Sequence, residues 1–196
     1  KIPSNLDLRL SSHFKSKTSV HRVTKLAKRL GLNIGTVLPP DDFEKVIQST
    51  LTIGFHMAQL SARSMVASEI KGKIVFISSV QAEMPFAKSA AYGAAKAGLN
   101  HLTRTIAVEL SRYKINVNAI QPGWIDTPGE HESFSDESII RESVKLPWGR
   151  MGKAEEIAKA ACFLISTQAD YITGTIMTVD GGFRYKDCRN PIAQEE

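Results

Sequence analysis

Tyr92 and Lys96 stand one helical turn apart in Ala91-Tyr92-Gly93-Ala94-Ala95-Lys96, thirteen residues after Ser79, which ends the run Ile74-Val75-Phe76-Ile77-Ser78-Ser79. Residues four apart share a helical face, so an ammonium at Lys96 can stand near the Tyr92 phenol and favour its ionised form. An unperturbed tyrosine, with a pKa of about 10, is a poor acid-base group at neutral pH. A cation within a few ångströms brings it into range. Ser79, at the carboxyl end of a buried strand, has a hydroxyl to offer the oxygen of a carbonyl or alcohol, on which charge changes during reaction. The three residues together have the chemistry to move a proton on and off a carbonyl oxygen. A lone Tyr-x-x-x-Lys pair arises by chance. Its weight here comes from the strand ending in two serines, the small residues that open the helix, and a second strand running into Gln121-Pro122-Gly123-Trp124-Ile125-Asp126-Thr127-Pro128.

The elements that must hold these groups are readable from periodicity. Pro40-Asp41-Asp42-Phe43-Glu44 reads as a helix start with Asp41 as cap, continuing to about residue 68, with Phe43, Val46, Ile47 and Leu51 as its buried stripe. Residues 74–77 form a continuous apolar run, as expected of a parallel strand covered on both faces. The helix bearing Tyr92 extends to about residue 112, with Leu99, Leu102, Ile106 and Leu110 at helical spacing. Residues 115–120 are the next strand, residues 153–166 a helix through Ile157, Ala161 and Leu164, and residues 175–179 a last strand. Strands alternating with helices predict an α/β fold built on a doubly wound parallel sheet.

Residues 124–150, rich in Pro, Gly, Ser and charge, leave the sheet where the chemistry sits and read as a lid over substrate, an ordinary surface excursion being the plainer alternative. Trp124 and Trp148 are candidate apolar walls. Gln81, Glu83 and Met84, just after Ser79, are candidates for substrate contact, whereas His131 and Glu132 read as solvated. Residues 184–196 are polar and read as a loose tail.

Bulk properties bound the answer. With 196 residues, 42% hydrophobic and 23% charged, the chain suits one core rather than two comfortable domains. It has no run of about 18 apolar residues and no charged-then-apolar leader, so neither a membrane span nor a secretion signal is expected and a cytoplasmic location is the default. Cys162 and Cys188 have neither metal spacing nor a disulfide-rich pattern, and no metal site is expected. The net charge of +5 is uneven: residues 1–35 carry eight Lys or Arg against one Asp.

At Ile77-Ser78-Ser79, at Tyr92 through Lys96, at Asn118-Ala119-Ile120-Gln121-Pro122-Gly123 and at Ile125-Asp126-Thr127-Pro128 the chain resembles the short-chain dehydrogenase/reductase family. The resemblance continues through Pro147-Trp148-Gly149-Arg150-Met151-Gly152 and Ile172-Thr173-Gly174-Thr175 to Val179-Asp180-Gly181-Gly182. It spans residues 36–183, with an atypical basic segment at 1–35 before it and the polar tail at 184–196 after it. Sugar dehydrogenases and 3-oxoacyl-carrier-protein reductases are the most similar members. The resemblance implies a Rossmann-like, NAD- or NADP-dependent oxidoreductase that moves hydride between nicotinamide and a small carbonyl or secondary alcohol. Tyr92 would be its acid-base, Ser79 would orient substrate, and Lys96 would bind the nicotinamide ribose and lower the pKa of Tyr92. Ile77, Pro122 and Gly123 would line the nicotinamide, Ile125 and Thr127 would contact its carboxamide, and Gln81 and Trp124 would join Ser79 and Tyr92 around the substrate. It also implies a homo-oligomer, a tetramer built through the helices at 41–68 and 88–112 and the final strand.

Two positions depart from the family. Where it usually carries an asparagine, five residues before Phe55, this chain has Thr50, whose hydroxyl lacks the reach and the two donors of an amide. At the start, the strand, glycine-rich turn and helix that receive a pyrophosphate are not found. Gly31 and Gly35 have family spacing, but Thr36-Val37 follow and Pro39-Pro40 forbid a helix there. Residues 32–36 read instead as a worn end of the fourth strand. On that reading the first three strands cannot all be present, and the chain is expected to be a fragment, an altered gene product or a form that has lost much of its dinucleotide site. The open sheet edge then invites pairing with another chain. Two further readings stay open: a catalytically impaired relative kept for assembly or ligand binding, and, more weakly, DNA binding through a helix-turn-helix pattern at 20–37, opposed by Pro39-Pro40. Nucleic acid is not the expected partner.

Overall fold

The computed structural model describes residues 38–188. The basic segment, the pair Gly31 and Gly35, the strand remnant at 32–36 and the helix-turn-helix pattern lie outside the described residues.

Helix α1 (Pro40–Ile47) starts earlier than the Asp41 cap reading. Pro39 holds the cap position and Pro40 the first turn, where a missing N–H costs nothing, while Asp41 and Asp42 face the positive end of the helix dipole. The chain then widens into a single π-helical turn, Gln48–Thr52, before α2 (Ile53–Ala67), so the one helix expected to residue 68 is two α-helical pieces. The expected buried stripe is only half covered. No residue of α1 is fully buried and Phe43 is exposed, because α1 leans chiefly on a neighbouring helix; Leu51, in the π-helical turn, reaches the core.

Strand β1 (Lys73–Ile77) leads through α3 (Ala90–Leu110) to β2 (Asn116–Pro122). After β2 come the short strand β3 (Ile125–Asp126), helices α4 (Pro128–Ser133) and α5 (Asp136–Ser143), strand β4 (Gly152–Lys153) and helix α6 (Ala154–Ile165). Strand β5 (Ile176–Val179) follows. The main sheet runs β1-β2-β5, all parallel, with Ile77 opposite Ile120 and Pro122 opposite Val179. Parallel neighbours need a helical crossover, supplied here by α3 and α6. The helix-strand alternation therefore builds the α/β parallel architecture read from the sequence. β2, the central strand, is the one buried almost throughout. β1 is only partly covered, with Ile77 47% exposed, because among the described residues its one sheet neighbour is β2.

The core joins Phe76, Val117 and Ala119 of the sheet to Leu99, Ile106 and Leu110 of α3 and Ala58 of α2. Each large apolar side chain so buried contributes roughly 1.5–3 kcal/mol. Asn118, fully buried, donates to Ile172 O (2.9 Å) and accepts from Thr175 N (3.1 Å), so the turn into β5 is held by a side chain in the strand beside it. At the start of α6, the Glu156 carboxylate accepts from Lys153 N (2.7 Å) and from two Arg150 nitrogens (2.9 and 2.8 Å).

The Arg150 guanidinium, with help from the Lys153 amide, holds Glu156 at a pKa of about 2, below the usual 4.5. A depressed carboxylate stabilises the fold above its ordinary pKa and loses that contribution as pH falls through the folded value. Glu156→Gln is therefore expected to lower Tm at pH 7, by little because the pair is solvent-exposed. The gap to the parent chain should close between pH 4.5 and 2 in thermal melts; an equal gap at both ends of that range would show that the ion pair carries none of it.

Candidate active site

The last ladder bond between β1 and β2 runs from Ser78 N to Ile120 O (2.7 Å). Ser79 then stays extended and caps the short turn Val80–Ala82, its Oγ accepting from Gln81 N (3.2 Å). The turn bends the chain away from the carboxyl end of the sheet and leaves the Ser79 hydroxyl in one cleft with Tyr92 of α3, near enough to act on the phenol. α3 reaches this turn because residue 93 has no side chain: a methyl group there would stand 3.1 Å from Gln81 O. Ala91 and Ala95, both buried, keep the same face of α3 small. Two further bonds tie α3 to the strand end, Lys96 Nζ to Ile77 O (2.7 Å) and Ser78 Oγ to Lys96 O (3.4 Å).

Burial pushes the Tyr92 phenol above its ordinary pKa; the Ser79 hydroxyl works the other way, and the Glu130 carboxylate adds a further upward push. Burial lowers the pKa of Lys96. The expected lowering of Tyr92 by Lys96 is thus not what the geometry gives. The ammonium stands 5.4 Å from the ring centroid and is engaged by the Ile77 carbonyl, so desolvation of the phenol outweighs its pull.

Ser79, Tyr92, Gln81, Gly123 and Trp124 line one cleft of about 640 Å³. Its walls are Val80, Leu146 and Phe183, with Phe86 stacked on Phe183 (6.2 Å) and Trp124 edge-on to Phe134 (6.2 Å). The segment at 124–150 folds over this cleft through α4 and α5, which bring Glu130, Phe134, Glu142, Lys145 and Leu146 to it. His131 and Glu132 are exposed, and His131 bridges Asp126 and Asp136 at 2.8 Å each.

The remaining candidates sit at the strand ends around this cleft or beyond it. Pro122 ends β2 and Gly123 N donates to Val179 O (3.2 Å), at the carboxyl ends of the strands. Ile125 is in β3, paired with Gly152, and Thr127 precedes α4 beside a second cavity with Asp126, His131 and Lys153. Thr50 is half-buried in the π-helical turn and does not line the cleft. Glu83 and Met84 do not line it either: Glu83 pairs with Arg184 (2.9 Å) and Met84 packs under Val80 and Phe183, because the turn after Ser79 sends them behind the cleft wall. Trp148 is 68% exposed and rests on Gly181, outside the cleft.

The sequence reading missed Glu130, Phe134, Leu146, Phe183, Lys186 and Asp187. Residues 184–188 are folded against the cleft: Gly181 and Gly182 take left-handed dihedrals, and the Asp180 carboxylate accepts from Gly182 N (2.9 Å) and Arg184 N (3.1 Å), turning the chain back. The Asp-Gly-Gly triplet is a turn signal that could have shown this return.

The family model described as Enoyl-(Acyl carrier protein) reductase matches residues 17–184. Glucose 1-dehydrogenase 2 of Bacillus subtilis is 36% identical over 142 residues, which are 72% of this chain and 55% of that protein. A structure from Agrobacterium tumefaciens assigned as a 2-deoxy-D-gluconate 3-dehydrogenase, with bound NADP, superposes with a TM-score of 0.71 at 36% identity over 75% of this chain and 60% of that one. A 4-hydroxyisoleucine dehydrogenase mutant complexed with NADH and succinate gives 0.72 at 31% identity over 86% and 75%. The chain spans little more than half the length of the curated relatives it matches. With a family match that runs across the serine strand, the Tyr92 helix and the return after β5, the chain belongs to the short-chain dehydrogenase/reductase family.

Proposed function

We propose that the chain acts as an NAD- or NADP-dependent oxidoreductase, transferring hydride between nicotinamide and a small carbonyl or secondary alcohol. The observation that carries this reading is the meeting of Ser79 and Tyr92 in one cleft at the carboxyl end of a parallel sheet, with Lys96 one turn along the same helix. Ligands of open α/β sheets bind in the crevice outside the carboxyl ends of the strands. That is where Lys96, Pro122 and Gly123 lie, beside Gln121, whose buried Nε2 has no hydrogen-bond partner among the described residues. This donor set fits the nicotinamide-ribose half of a dinucleotide. Lys96 would hold the ribose, and Ile77, Pro122, Gly123, Ile125 and Thr127 the nicotinamide end; a bound nicotinamide supplies or accepts the hydride.

In this reading the protein's part is acid-base and positional. Ser79 hydrogen-bonds the substrate oxygen, Gln81 and Trp124 line its path, and Tyr92 gives that oxygen a proton in reduction or takes one in oxidation. A phenol raised by burial stays protonated at neutral pH, which suits the donating role. Thr50, in the π-helical turn between α1 and α2, stands where the family asparagine supports a water or proton path, and its hydroxyl would serve that path here. A second reading, a catalytically impaired relative, is favoured by Thr50 in place of the family asparagine and by the Ile77 carbonyl already engaging Lys96.

The relatives' names suggest sugar-like or acyl substrates. Among the described residues no helix is long and apolar enough to cross a membrane, and a cytoplasmic, homo-oligomeric protein is the proposal. Met57, Leu60 and Val108 stand well exposed on α2 and α3, the helices through which the family resemblance places a tetramer.

Tyr92→Phe is expected to lower kcat by at least a hundredfold with far-UV circular dichroism unchanged, measured as NADH or NADPH turnover over a panel of carbonyl compounds; undiminished turnover in the variant would sink the assignment, and a parent chain inert on the whole panel would favour the impaired relative. Sedimentation velocity is expected to show an oligomer, and a clean monomer would count against the assembly.

A further inference from the structure

The charges around the cleft do not cancel. Among the described residues five charged side chains line it, Glu130, Glu142, Lys145, Lys186 and Asp187. Glu142 pairs with Lys145 (2.9 Å) and with Arg141 (2.9 Å), and Lys186 pairs with Asp187 (2.7 Å). Glu130 has no cationic partner among the described residues. Its Oε2 accepts from Trp124 Nε1 (2.7 Å), which fixes the carboxylate from one side, and its Oε1 has no partner among them. Trp124 itself is held by Phe134 at its edge, so the acceptor is built on a supported ring rather than on a free side chain. Glu130 is half-buried and close enough to Tyr92 for its charge to act on the phenol.

An oriented carboxylate oxygen with a free lone pair, lining the same cleft as the Tyr92 phenol, is an acceptor for a further hydroxyl of the substrate that the phenol handles. The same charge repels a substrate carboxylate, and the paired lysines do not compensate. We propose that Glu130 is a specificity-determining residue that selects neutral polyhydroxylated substrates, with a hydroxyl next to the reacting carbon, and excludes their carboxylate counterparts. The inference rests on the oxidoreductase reading for which carbon reacts, but binding in the cleft tests it without turnover.

The chain has two tryptophans, so Trp148→Phe leaves Trp124 as the one fluorophore of its kind, in direct contact with Glu130. Titrated in that background, sorbitol is expected to perturb Trp124 emission with at least tenfold tighter binding than gluconate, about the weight of one hydrogen bond to a charged group. Glu130→Gln, which keeps an acceptor for Trp124, is expected to reduce the preference to near unity, and Glu130→Arg to reverse it in favour of gluconate. Thermal melts confirm that each variant is folded, and the two substitutions give independent readings. Equal binding of the two compounds by the parent, a preference that neither substitution moves, or no binding of either would overturn the proposal. Failure of hydride transfer with the sorbitol preference intact would instead overturn the oxidoreductase reading and leave this one standing.

Discussion

Helix α3 approaches the end of β1 so closely that a single methyl group at Gly93 would press on the Gln81 carbonyl oxygen at 3.1 Å. That approach sets the distances on which the rest of the site depends. It brings Tyr92 into one cleft with Ser79, and it lets Lys96 reach back to Ile77 O and so fasten helix to strand. Interiors are packed to near-crystalline density, so such a joint is not continuously adjustable. Buried Ala91 and Ala95 keep the helix at that depth, and Leu99, Ile106 and Leu110 further along anchor it in the core with Phe76 and Val117. The hydrophobic core and the polar site are thus two ends of one helix-strand contact, and the site inherits its rigidity from the core.

The same contact explains the electrostatics. Taking a phenol and an ammonium out of water disfavours both charged forms, and here burial is the leading cause in each case, moving Tyr92 up and Lys96 down. The pair on one helical face is accordingly a desolvated pair, not a cation that simply acidifies a phenol. Glu130, brought over from α4, adds negative charge that pushes the Tyr92 phenol up further. Below it, the apolar walls of Val80, Leu146 and Phe183 keep water from diluting these effects.

How much was legible in the sequence follows from how far apart the partners are in the chain. Ser79, Tyr92 and Lys96 lie within one strand-turn-helix unit, so spacing and helical periodicity sufficed to bring them together, and the apolar repeat of α3 and the run at β1 gave the parallel sheet. The π-helical turn at Gln48–Thr52 was not legible, since one residue inserted into a helix leaves the apolar spacing nearly unchanged. The start of α1 was misplaced by one strong signal, Asp41 as cap, overriding another, proline's suitability for the first turn. Glu130, Lys186 and Asp187 escaped because they reach the cleft through tertiary folding: a six-residue helix over the sheet and the Asp180-Gly181-Gly182 turn after β5. Glu83 and Met84 were overrated for the converse reason, being adjacent to Ser79 in sequence but carried behind the wall by the turn at Val80–Ala82.

The central claim is that the joint between β1 and α3 is a working nicotinamide site in this chain. Titration of the 196-residue protein with NADH and NADPH, following nicotinamide fluorescence, tests it most directly. Saturable binding of at least one of the two is expected, weakened by Lys96→Ala through loss of the ribose contact. Absence of binding for both, with the protein folded, would contradict it and leave Ser79, Tyr92 and Lys96 as a structural joint alone.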